Sequence, residues 1–194
     1  MIVAFSTSSP LASVALLEAD GCVLASSALE AKFAASGACL DMLAQLLRET
    51  GRRLEDVELC LADLGPGSFT GVRAGVTLAK TMALALGVSA GGASSFDLID
   101  PSTTVLVPSR KGEAYLRRAG QDVERVSAVP AGAIVGYGPW IAEGDWRYPE
   151  ASRFGPLMPS LKRIKAEELL PMYVSEPSIS TPRRPYGCGD ATRA

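Results

Sequence analysis

At 194 residues the chain can form one large domain or two small ones, and burial of about 70% of the unfolded surface is expected at this size. A net charge of −2 leaves no basic excess to displace counterions from phosphates, which argues against autonomous nucleic-acid binding. The sequence has no histidine, so Ser-His and Cys-His nucleophile activation and histidine-held zinc or iron are excluded, while carboxylate and lysine chemistry remain.

The chain opens on Met1-Ile2-Val3-Ala4-Phe5 without the charged and long apolar regions of a signal peptide. Its longest apolar run is far short of the roughly 20 residues that cross a bilayer. A cytoplasmic location, with no membrane contact, is the expectation. Ile2 to Phe5, Ala12 to Leu17 and Cys22 to Leu29 read as three antiparallel strands, turned by Ser6-Thr7-Ser8-Ser9-Pro10 and by Ala19-Asp20-Gly21. A helix follows over Gly37 to Glu49, with Ser36 as N-cap and Gly51 as stop. Leu59 to Leu64 is a strand ending at Gly65-Pro66-Gly67, and a second helix runs from Thr70 to Leu86 and closes on Gly87. Val88 to Gly91 is a brief strand, and Ser94 to Ile99 a short capped helix. Beyond Pro101, Val105 to Pro108 and Glu113 to Arg117 suggest a hairpin around Arg110-Lys111-Gly112, and Ile134 to Tyr137 is a further apolar segment. The last residues, 175–194, are rich in Ser, Thr, Pro, Arg and Gly and read as a loose tail.

The order strand-strand-strand-helix-strand-helix-strand is an α/β pattern with a hairpin edge and helical crossovers. It implies a first lobe over residues 1–100, a second, reduced lobe over 101–174, and the tail. The cysteines Cys22, Cys39, Cys60 and Cys188 form no C-x-x-C pair and read as buried, reduced thiols, and no metal site is expected.

The loop Gly65 to Gly75 joins a strand to a helix, where backbone N–H groups and the helix dipole attract anions. Its spacing fits neither G-x-G-x-x-G nor the G-K-[ST] ending of a Walker loop, and Ser68 is preceded directly by Gly67, so it is no nucleophile elbow. A tight turn and a vestigial phosphate or nucleotide loop built from Ser6, Thr7, Ser8, Gly65, Gly67 and Ser68 are the two readings. Asp63 and Asp97 are the carboxylates placed to line a cleft between the lobes, with no partner identifiable from sequence. Arg110, Lys111 and Glu113 read as solvated hairpin residues.

Along the second helix Gly71, Gly75, Ala79 and Ala83 recur every four positions, a column that another helix can approach closely. Val72, Val76 and Met82 extend the apolar surface around it. The first helix repeats the pattern, with Leu40, Leu43 and Leu47 on one face and Cys39, Met42 and Leu46 on a neighbouring one. Helices apolar nearly all round must be buried nearly all round. These thirteen positions read as a partner interface of ordinary size, against the alternative of an internal core.

Gly65-Pro66-Gly67-Ser68-Phe69-Thr70-Gly71-Val72-Arg73-Ala74-Gly75 closely resembles the GPGSFTGVR-[IL]-G signature of the TsaB (YeaZ) family. Ile2 to Ser8, Ala12 to Leu16, Gly91 to Phe96, Ser109 to Tyr115 and Pro171 to Val174 are further similarities. The resemblance covers roughly the first hundred residues and continues intermittently after them. It implies the actin-like ATPase (ASKHA, ribonuclease H-like) fold, with one well-formed lobe carrying a mixed sheet and a second, reduced one. It also implies a degenerate, non-catalytic paralogue of TsaD, the enzyme that adds threonylcarbamoyl to the adenosine beside the anticodon of tRNAs. The partners implied are a TsaD-like subunit bound through the two helices, a TsaE-like ATPase in the complex, and a second copy when TsaD is absent. Contact with tRNA would come only through the complex, and no cofactor is expected. Ser6 stands where actin-like ATPases carry the acidic residue that organises the metal, which removes the principal anchor for phosphoryl transfer. An ATPase or small-molecule kinase, and a glycoprotease-like peptidase, are the alternative activities.

Overall fold

Strand β1, Ile2–Ser6, sends Val3 and Phe5 to one side and Ile2 and Ala4 to the other, and all five residues are buried. A strand apolar on both faces belongs in the middle of a sheet covered on both sides. The computed structural model, which describes residues 1–30, 35–109 and 112–174 with the side chains of 35 and 36 excepted, puts β1 there. β2, Leu11–Leu17, pairs antiparallel with β1 from Ile2↔Leu17 to Ser6↔Ser13, and β3, Val23–Glu30, pairs antiparallel with β2. β4, Leu59–Asp63, and β5, Ser89–Ala93, extend the other side in parallel, giving the order β3-β2-β1-β4-β5.

Helices α1, Ala35–Thr50, and α2, Phe69–Leu86, cover the side that receives Val3, Phe5, Val14, Leu16 and Cys60. The ends of α2 are written in the sequence. Ser68 accepts a hydrogen bond from the Gly71 N–H at the start, and Gly87 closes the end at φ 68°, a left-handed conformation that glycine adopts without a Cβ penalty. The opposite side is covered by the short helix α3, Ser95–Ile99, with Ser94 as its cap, and by Ala151 and Phe154 from the later chain.

A second sheet has the order β8-β7-β6-β9, from β6, Thr104–Pro108, β7, Ala114–Arg117, β8, Val123–Val126, and β9, Ile134–Gly136. β6 and β7 form the expected hairpin, and β9 runs parallel to β6. β8 has no counterpart in the sequence reading, because its central Glu124 and Arg125 are exposed and four residues give no usable period.

The strands of the first sheet end at Ala93 and those of the second begin at Thr104, but the chain after β9 returns to the first sheet. Besides Ala151 and Phe154 there is the helix α4, Phe154–Leu157, and Ile164 bridges β5 at Ala90 through two backbone hydrogen bonds of 2.9 and 2.8 Å. Ala166 and Leu169 then join the core beneath α2, and the Lys80 ammonium donates to the Glu167 carbonyl. The tail from 175, Arg110, Lys111, Cys188 and the Ser36 side chain lie outside the described residues. Among the described residues no helix is long and apolar enough to cross a membrane.

Candidate functional site

The turn after β1 and the loop after β4 interlock. The Ser68 N–H donates to the Ser8 carbonyl at 2.7 Å, and the Thr7 hydroxyl donates to the Gly71 carbonyl at 2.7 Å. A Cβ on Gly67 would strike the Ser8 backbone, and one on Gly71 or Gly75 would strike Thr7. The glycines therefore allow α2 to start hard against β1. Gly65 takes φ 90° ahead of a cis bond to Pro66, and its N–H turns back to Asp63 at 2.9 Å.

Asp63 ends β4 at 2% exposure, and it has the partners that sequence reasoning did not find. Ser6 Oγ lies 2.8 Å and Ser8 Oγ 2.5 Å from its Oδ2, while Ser95 Oγ lies 2.6 Å and the Gly65 N–H 2.9 Å from its Oδ1. Ser6 is also within 2.9 Å of the Pro149 carbonyl, and Ser95 within 3.0 Å of Ser8 Oγ. Four donors thus meet the roughly four acceptor sites of one carboxylate. Burial pushes the Asp63 pKa above the ordinary carboxylate value, and the hydrogen bonds from Ser8, Ser95, Gly65 and Ser6 pull against that shift. Ser95 was not among the sequence candidates; its only signal was the Gly-rich end of β5 running into a serine pair. Asp97 sits apart, accepting from Ser94 and lying 3.4 Å from the Arg117 guanidinium.

Between the sheets, next to this cluster, is a cavity of about 640 Å³. Ser8, Gly67 and Ser68 of the expected phosphate loop line it, whereas Ser6, Thr7 and Gly65 lie outside its lining. Its walls include Tyr115, Tyr137, Trp146 and Tyr148, with Phe69 and Tyr173 in contact at 5.8 Å. Among the described residues no Lys, Arg, Asp or Glu lines it, and no group of three or more His, Cys, Asp or Glu is arranged to hold a metal.

The helix positions fall into two groups. Cys39, Met42, Leu43 and Leu46 of α1, and Val72, Gly75, Val76, Ala79 and Ala83 of α2, are buried within this chain's own core, and Gly71 abuts Thr7. Gly71 and Gly75 of the small-residue column thus meet Thr7 in the turn after β1. Ala166 and Leu169 of the later chain supply part of the covering of these helices. Leu40 remains 48% exposed, and Leu47 and Met82 are half-buried.

The model of the family described as "TsaD: tRNA N6-adenosine threonylcarbamoyltransferase" matches residues 30–126, half of the chain. The tRNA threonylcarbamoyladenosine biosynthesis protein TsaB of Bacillus subtilis is 31% identical over 121 residues, 59% of this chain and 52% of that protein. An uncharacterised protein of Mycobacterium tuberculosis is 38% identical over 101 residues, 46% of this chain and 48% of its own. The chain spans about half the length of the curated relatives it matches. Two solved structures share the fold. YeaZ from Pseudomonas aeruginosa has a TM-score of 0.73 at 24% identity, covering 89% of this chain and 99% of that one. An uncharacterised protein described as similar to peptidase YeaZ from the same organism has a TM-score of 0.76 at 23% identity, covering 90% and 99%. The architecture is a mixed α/β fold of the actin-like, TsaD type, with two mixed sheets.

Proposed function

This chain belongs to the TsaD family and resembles its TsaB (YeaZ) relatives, and from that premise we propose that it is a non-catalytic subunit of the complex that makes threonylcarbamoyl-adenosine in tRNA. Its role is to bind a TsaD-like subunit, with a TsaE-like ATPase joining the assembly and tRNA reached only through it. The observation that carries this reading is the state of Asp63. A carboxylate that organises a metal or abstracts a proton needs a lone pair facing substrate, and here three serine hydroxyls and one backbone N–H meet it in a buried site. The hydroxyl of Ser6, at the place of the metal-organising acid, is itself one of those donors. With no histidine in the chain, the serines have no ordinary base for peptidase chemistry.

The partner surface then reduces to what the chain's own core leaves open: Leu40, Ala44 and Leu47 along one face of α1, and Leu78, Met82 and Ala85 along one face of α2. A second copy of this chain would use the same face when the TsaD-like subunit is absent. The test is co-purification with the host's TsaD-like protein, followed by an assay for modified adenosine in tRNA with and without this chain. Retention and modification are expected to require the chain, and Leu40→Glu combined with Ala85→Glu, both at exposed positions, is expected to abolish retention at an unchanged thermal midpoint. Full modification without the chain, or turnover of ATP and magnesium by the isolated chain, would overturn the proposal.

A further inference from the structure

The cavity between the sheets is built for a different ligand class from the phosphate loop that the sequence suggested. Its inner wall is a contiguous aromatic surface. Tyr137 and Tyr148 have ring centroids 5.0 Å apart, and Trp146 meets Tyr148 edge-on at 6.0 Å. At the floor, Ser8 gives its proton to Asp63, so toward the cavity its oxygen can only accept. Ser109 Oγ, also in the lining, is shielded from solvent and has no hydrogen-bond partner among the described residues. The charge immediately behind the floor is the Asp63 carboxylate, whose field also reaches Tyr137: burial first, then Asp63 and Tyr148, raise the phenol's pKa. An anion placed here would meet a carboxylate one serine away. No described cation lines the cavity to offset that charge, and Ser68, the N-cap of α2, already accepts from Gly71.

We propose that this cavity binds a small organic cation bearing alkyl groups, of the quaternary-ammonium kind, held against the Tyr137, Trp146 and Tyr148 rings above the Ser8–Asp63 pair. Ring faces attract such cations through the quadrupole, most strongly where water is excluded, and the alkyl groups bury apolar surface at the same time. The chain already uses this chemistry on α2, where the Arg73 guanidinium, outside the cavity lining, lies 5.2 Å from the centroid of Phe69. A volume of about 640 Å³ suits a free small molecule. The inference stands on the cavity alone and does not depend on the TsaD-like partner.

The test is titration of the full chain with choline, with its uncharged isostere 3,3-dimethylbutan-1-ol, and with adenosine monophosphate, followed by calorimetry and tryptophan fluorescence. Choline is expected to saturate one site at least about tenfold more tightly than the alcohol, the margin a desolvated cation–ring contact supplies. Adenosine monophosphate is expected not to compete. Tyr148→Leu, at a half-buried wall position, should lose about tenfold in choline affinity, and Tyr148→Phe should retain it, because the ring rather than the hydroxyl makes the contact. Equal affinity for choline and the alcohol would reduce the cavity to an apolar cleft and overturn the proposal. Saturation by adenosine monophosphate, or no saturable binding of choline, would overturn it as well.

Discussion

Cys39 and Cys60 are both fully buried beneath the helical layer, one on α1 and one on β4. Burial disfavours the thiolate and pushes their pKa values from 9.0 up to about 11 and about 12. In the unfolded chain the thiols ionise near the ordinary value, so the folded state keeps protons that the unfolded state has released. Their contribution to stability is therefore full below about pH 9 and is lost as pH rises through the folded values. Peptide mapping after iodoacetamide at pH 8 should show exposed Cys22 alkylated and Cys39 and Cys60 unmodified until denaturant is added; ready labelling of Cys60 in the native chain would contradict its burial. The reading of buried, reduced thiols holds for Cys39 and Cys60 and fails for Cys22, which is exposed after the Asp20-Gly21 turn. That Cys39 points into the chain's own sheet was not readable, because helical periodicity gives relative faces but not which face the sheet takes.

At the scale of elements, α2 shows where pattern reading works and where it stops. Its end at Gly87 and its small-residue column were legible and its start was placed at Thr70, one residue late, while the Ser68 cap is a local signal that the sequence reading assigned to a phosphate loop instead. The neighbour of that column was not legible, because Thr7 reaches it from 64 positions away in the chain. The consequence is measurable. Gly75→Ala puts a methyl group into the Thr7 side chain, and Gly71→Ala puts one into the Thr7 backbone carbonyl. A threonine side chain has some room to turn, whereas the backbone of a turn pinned by the Ser68–Ser8 and Thr7–Gly71 hydrogen bonds has little. Gly71→Ala is therefore expected to cost about 3 kcal/mol and Gly75→Ala about 1 kcal/mol, the two ends of the range for overpacking. Urea unfolding of the two variants beside the parent chain reads this directly, and a stabilised Gly71→Ala would show that α2 does not sit against β1 as described. The same contact explains why bulk at Gly75 is a poor probe of partner binding: it would damage this chain first.

Across the whole molecule, the first hundred residues announced their sheet through alternation, turns and caps. The segment that completes that sheet comes from residues 151–169 and carries few such signals. It is made of short 3₁₀ turns and the four-residue helix α4, each too brief to set up a period, and its apolar residues Ala151, Phe154, Ile164, Ala166 and Leu169 are spaced by the surface they cover. β5 would otherwise be an open edge, and the Ala90–Ile164 bridge closes it with one hydrogen bond in each direction. Gly91 belongs to the same device, since a Cβ there would come within 2.9 Å of the Lys162 carbonyl. Ile164→Pro removes the N–H that reaches the Ala90 carbonyl and leaves a buried acceptor unpaired, a loss of about 1–3 kcal/mol. If the returning segment is integral to the first lobe, this substitution lowers the single unfolding midpoint of the chain and speeds hydrogen exchange at the Ala90 amide. If the segment merely lies on the surface, exchange at Ala90 rises while the midpoint stays put, because an edge bond lost without its packing does not propagate to α2. The burial of Ala166 and Leu169 against the same core as Val76 and Ala79 argues for the first outcome, in which the two halves of the chain unfold together.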